Sequence, residues 1–248
     1  LVGGLLFMFI GLGIKMALVP FHAWMPEAYT HAPESTSPIL ASLVTKVALL
    51  VWVRIIYWVL NASIAIFDIP ILQLVAVLGA LAAVIGAALA LAQRNLKMMF
   101  AYGGVSHIGI ILIGIGQGNQ TGFVGGIFYL LNDAVMQAAL FYIAGVAIFH
   151  YGVRTIDELA RVGKQAPWLT GCLIIVALGM IGLPPTGGFF GKWNIILGAI
   201  EAGNYFSVAA VVFSTLLTLA YFVNCLKAFF AKHQLGWTIS LVKFHFHL

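Results

Sequence analysis

The chain has 248 residues, 62% of them hydrophobic and 8% charged, with a mean hydropathy of +1.08. Soluble domains carry roughly 25% charged and 45–50% apolar residues, so the composition excludes a soluble globule and indicates a polytopic, all-α membrane protein. Twelve Lys and Arg against seven Asp and Glu give a formal +5, but the basic residues are not gathered on one face, which excludes a nucleic-acid-binding reading.

Spans of about 20 residues leave room for about seven transmembrane helices. Apolar stretches fall near 1–19, 38–60, 71–91, 99–117, 123–150, 168–201 and 204–230. Two of them are predicted to break. After Lys15 come Pro20 and the mildly polar run Phe21 to Pro26, so the first helix breaks and resumes within 1–33. The 168–201 stretch is too long for one span and holds Pro184, Pro185, Gly187 and Gly188. Adjacent prolines remove backbone donors and clash with the preceding turn. Irregular backbone at membrane depth is tolerated only where protein buries it or it lines a wet cavity, so broken helices point to a transport path. The opening residues read as an interior helix without the charged n-region and cleavage site of a secretory signal, and an upstream part of the protein is expected.

Loop charges set an orientation. If seven spans alternate, one side receives the 92–98 and 151–167 connections and the C-terminal tail, with Arg94, Lys97, Arg154, Arg161, Lys164, Lys227, Lys232 and Lys243. The connections around 61–70, 116–122 and 201–205 hold no Lys or Arg. The positive-inside rule then places the basic loops and residues 231–248 in the cytoplasm, with 1–230 as the membrane domain.

The remaining basic residues, Lys15, Lys46, Arg54 and Lys192, fall inside apolar runs, together with His107 and Asp133. Ionisable groups at mid-bilayer cost about 2.5–3.5 kcal/mol on insertion scales and usually face a bundle interior or water. Arg54 is close enough to a span end to snorkel as an anchor. Lysines suit a proton path because burial disfavours their charged form, and histidine titrates near neutral pH unaided. Ser106 adjoins His107. Asp133 and Gln137 share a helix face at i, i+4, and Asp133 is read as a lysine partner, a cation ligand or a proton carrier. Cys172 and Cys225, each in an apolar run, suggest neither a disulfide nor a metal site.

Three runs resemble the antiporter-like subunits, the family of proton-translocating membrane subunits of respiratory complex I, Mrp-type sodium/proton antiporters and membrane-bound hydrogenases. They are Lys15-Met16-Ala17-Leu18-Val19-Pro20-Phe21-His22-Ala23-Trp24-Met25-Pro26-Glu27-Ala28, followed by Ala32-Pro33 and Lys46; Ala101-Tyr102-Gly103-Gly104-Val105-Ser106-His107-Ile108-Gly109; and Gly182 to Trp193 around Pro184-Pro185 and Lys192. The resemblance covers residues 1 to about 230. It implies an inverted-repeat fold with two broken helices and a midplane axis of buried lysines. Lys15 matches the lysine of the first broken helix, Lys46 that of the next helix, His107 the axis histidine and Lys192 the ionisable residue of the second broken helix. His22, Ser106, Asp133 and Gln137 are further path or charge-partner candidates. Where many members carry a His and, four residues later, a Lys, this sequence has Asp133 and Gln137. That departure leaves open a different ion or a different partner for Lys46 or Lys192.

The expected function is proton translocation, with sodium/proton exchange as a variant, by a subunit of a redox-driven pump or multisubunit antiporter. A non-conducting structural subunit or an inactive fragment is the alternative. No Cys cluster, paired axial His or nucleotide loop is present, so no metal or redox cofactor is expected on this chain. Its expected partners are other membrane subunits and the bilayer of a bacterial, archaeal or organellar inner membrane.

Overall fold

The computed structural model describes residues 2–59, 65–66 and 69–230. Residues 231–248, with Lys232 and Lys243, lie outside them. In chain order the helices are α1 (Val2–Lys15), α2 (Trp24–His31), α3 (Ser37–Val59), α4 (Ile71–Ala92) and α5 (Leu96–Gly116). They continue with α6 (Gln120–Tyr151), α7 (Leu159–Gln165), α8 (Pro167–Ile181), α9 (Gly187–Glu201) and α10 (Tyr205–Phe230). A minimal ribbon pairs Ala65–Ile66 with Ile69–Pro70. Among the described residues, α3, α4, α5, α6 and α10 are long and apolar enough to cross a membrane. The chain is a polytopic α-helical membrane protein.

Both predicted breaks are present. α1 stops at Lys15, and Ala17 takes left-handed backbone (φ 56°) before α2 starts at Trp24. The Trp24 indole donates to the carbonyl of Ile14 (2.7 Å), one of the carbonyls that a helix end leaves without a backbone partner. α8 ends on Gly182 (φ 82°), which only glycine adopts without cost, and α9 begins after Pro184, Pro185 and Thr186.

α5 is the central helix. In its most apolar 18-residue window 89% of residues are buried, against 39–50% in the other four long helices, so α5 is walled by protein while the others face outward. Its contact with α4 is a backbone approach through small residues, the mode expected where lipid supplies no hydrophobic drive. Gly86 faces the Ser106 backbone, and Gly109 faces Gly79 and Ala83. Gly109→Val drives two methyls into the α4 backbone, an overpacking cost of about 1–3 kcal/mol. Thermal unfolding of the complete detergent-purified subunit checks it: a fall of several degrees is expected, and an unchanged midpoint shows that the helices part freely.

Hydrogen bonds sort the connections into two ends. Leu96 N–H donates to Arg154 O (3.0 Å) and Ile156 N–H to Arg94 O (2.9 Å). Glu158 accepts from the backbone N–H groups of Arg154 and Thr155, which hold its carboxyl below the usual carboxylate range. At the opposite end Asn119 donates to Gly198 O (2.6 Å) and Thr121 to the Glu201 carboxylate (3.1 Å). Arg94, Arg154 and Arg161 therefore share one end.

One sequence expectation changes. Lys97 is not a loop charge: it is the second residue of α5 and is 1% exposed, because the loop after α2 covers it. Within these 248 residues Lys15 is exposed at the end of α1, which packs chiefly on α3. Arg54 is also exposed, near the end of α3.

Candidate functional site: a buried polar chain

The site begins with an irregularity in α3. Between Leu40 and Val44 the helix widens into a π-helical turn, a feature frequent at functional sites because it releases carbonyls from the i→i−4 ladder. Tyr29 Oη donates to Leu40 O (3.0 Å), and Lys46 Nζ donates to Ala41 O (2.8 Å). Lys46, 4% exposed, also forms an ion pair with Asp133 (Nζ to Oδ2, 2.8 Å).

Asp133 is fully buried on α6 and serves two partners. Its Oδ1 lies 3.0 Å from His107 Nδ1 on α5. A carboxylate only accepts, so in this pairing Nδ1 carries the hydrogen. The other ring nitrogen, Nε2, is buried without a protein partner. Tyr129, four residues before Asp133 and thus on the same face of α6, places its hydroxyl 3.4 Å from His107 Nδ1 and 3.5 Å from Met180 O. Both are long contacts, the loosest links of the chain.

Lys192 closes the far end. Its ammonium donates to Met180 O (3.0 Å), Ile181 O (3.1 Å) and Thr215 Oγ1 (3.2 Å), and lies 5.5 Å from the centre of the Tyr129 ring. Met180 and Ile181 end α8, where unpaired carbonyls and the negative pole of the helix dipole favour a cation. The second break thus makes the Lys192 site. Polar contacts run without interruption from Lys46 through Asp133, His107, Tyr129 and Met180 O to Lys192.

The structure brings Lys46, Asp133, His107 and Lys192 into this one chain. Gln137 stands beside it: its amide is buried without a protein partner and lines a narrow crevice with Lys46, Thr45, Ala41, Gly104 and Phe141. Ser106 is turned away, donating to Ala83 O (2.7 Å) on α4. His22 is half-buried in the first break, its ring centre 6.3 Å from that of Tyr102, and Lys15 is outside. Sequence reasoning missed Tyr129, whose i, i+4 relation to Asp133 was a usable signal, and Thr215, which carried none. Among the described residues no group of three His, Cys, Asp or Glu is placed to hold a metal.

Comparison with known proteins finds relatives over most of the chain. The chain is 39% identical over 228 residues to NADH-quinone oxidoreductase subunit N of Desulforudis audaxviator, covering 92% of this chain and 45% of that relative. Among solved structures it resembles a chain of the Mrp complex from Dietzia sp. (TM-score 0.85, 29% identity, 91% of this chain and 41% of that one). It likewise resembles a chain of respiratory complex I from Thermus thermophilus (TM-score 0.80, 28% identity, 92% and 48%). The chain spans about half the length of the relatives it matches. The family described as "NADH:quinone oxidoreductase/Mrp antiporter, TM" matches residues 1–218, and on that match, which takes in both broken helices and the whole buried chain, this protein belongs to that family.

Proposed function

We propose that this chain forms part of a membrane subunit that translocates protons, working with other membrane subunits of a redox-driven or Mrp-type assembly. The observation that carries this is the unbroken line of polar contacts between Lys46 and Lys192 inside an otherwise apolar bundle. Asp133 is its pivot. As a carboxylate it is ion-paired with Lys46 and accepts from His107 Nδ1–H. A proton passed from Lys46 to Asp133 neutralises both partners and turns the carboxyl into a donor. The neutral carboxyl no longer requires Nδ1–H, so once the ring has passed to the tautomer with its hydrogen on Nε2, which has no protein partner, the carboxyl protonates Nδ1. Met180 O accepts from both Tyr129 and Lys192 and passes no proton, so in this proposal water carries the step from the imidazolium to Lys192.

The end that carries Arg94, Arg154 and Arg161 faces the cytoplasm in this proposal, with residues 231–248 on the same side. Residues 1–230 form the membrane domain, and redox chemistry resides on other subunits. Each proton moved against 100 mV requires about 2.3 kcal/mol, so the drive comes from a redox partner or a second ion gradient. Lys46→Ala in the complete subunit, assembled and reconstituted in vesicles, is expected to cut pumping per assembled complex to about a tenth or less. Pumping at the unsubstituted rate removes the proposal.

A further inference from the structure

Lys97 is a buried ammonium that the path from Lys46 to Lys192 does not use. It donates to Ala32 O (2.9 Å) and Ser37 Oγ (3.1 Å) and is ion-paired with Glu34. Glu34 is the outward member, its side chain 31% exposed against 2% for Lys97. It lies against Gly145, where an added methyl would sit 3.3 Å from the Glu34 carbonyl. The cluster therefore ties the loop after α2 to the start of α3, to α5 and to α6.

What lies beneath it gives the cluster a role. On α5, Lys97 heads a stripe continued by Ala101, Gly104 and Ile108; on α3, Ser37 heads Ala41 and Thr45; on α6, Gly145 stands above Phe141 and Gln137. These spacings of three and four keep each set on one helix face. All the members below the cluster line the crevice that Lys46 also lines. Ser37 is about 12 Å above Thr45 at 1.5 Å per residue. Tyr29 joins the two levels: its carbonyl is 3.3 Å from Ser37 Oγ, its hydroxyl donates to Leu40 O, and its ring lines the crevice. Both polar atoms of the Gln137 amide, 1% exposed, are without a protein partner there.

We propose that the Glu34–Lys97 pair is the gate through which protons reach Lys46, with Glu34 the group that meets solvent and Lys97 the positioning residue that keeps the crevice shut. This rests on the proton-path reading, so its test reads access rather than pumping. The complete subunit, in its assembled complex in vesicles and with Cys172 and Cys225 replaced by Ala, carries Thr45→Cys as the probe. A membrane-impermeant methanethiosulfonate sulfonate is applied from the Glu34 side, and labelling is followed by the mass of the subunit. E34Q and K97M are expected to label about tenfold faster than the parent, and K97R, which keeps charge and donors, within about threefold of it. E34Q changes a partly exposed loop residue and carries the test even if K97M fails to assemble. Labelling of E34Q at the parent rate overturns the gate, as does K97R labelling as fast as K97M. Faster labelling with undiminished pumping keeps the gate and defeats the proton-path reading instead.

Discussion

Asp133→Asn is expected to abolish net pumping in the assembled complex, to below about a tenth of the unsubstituted rate, and to reduce the amount of complex that assembles. The carboxylate holds Lys46 at 2.8 Å and His107 at 3.0 Å at full burial. Removing one member of a buried ion pair costs about 3–5 kcal/mol, because the other charge is left uncompensated. An amide of the same shape still accepts a hydrogen bond but carries no charge and cannot pass a proton. Asp133→Glu separates the two losses, since it keeps charge and acidity and shifts the carboxyl by one methylene. It is expected to assemble well and to pump at an intermediate rate. Proton uptake by vesicles, normalised to assembled complex, is the measurement. D133N pumping at the unsubstituted rate removes Asp133 from both the path and the charge balance.

The route to Asp133 shows how far residues in one dimension can lead. Pro184-Pro185 and Pro20 announced both breaks because a missing backbone donor is a local property. The long helices were equally legible, since apolar length alone marks a span. Which lysine Asp133 would pair with was not legible. That choice depends on the depth and rotation of α3 against α6, and the π-helical turn at Leu40–Val44 resets that rotation without any mark in composition. The carbonyls that hold Lys192 were invisible for a related reason: every residue has one, and only the geometry of the second break exposes those of Met180 and Ile181. Lys97 misled because counting charges near a predicted helix end treats them all as loop charges. Burial by a neighbouring loop is a tertiary event.

The Lys192 site separates a transport role from a structural one. A purely structural reading expects each buried ammonium to stand against a carboxylate. Lys46 has Asp133 and Lys97 has Glu34, whereas the hydrogen-bond partners of Lys192 among the described residues are two carbonyls and a hydroxyl. Such partners solvate the ammonium and are also satisfied when it is neutral, since an amine still donates. A cation held by dipoles rather than by a full counter-charge is thus free to lose its proton without stranding an anion. Lys192→Met removes the donors and leaves Ile181 O and Thr215 Oγ1 without theirs, at about 1–3 kcal/mol each, so both reduced assembly and pumping below about a tenth are expected. Lys192→Arg is the sharper substitution. A guanidinium keeps the charge and more donors than an ammonium but does not deprotonate in proteins. K192R is therefore expected to assemble like the unsubstituted subunit yet pump no better than K192M. Pumping by K192R at the unsubstituted rate would make Lys192 a fixed structural cation and end the path before the second break.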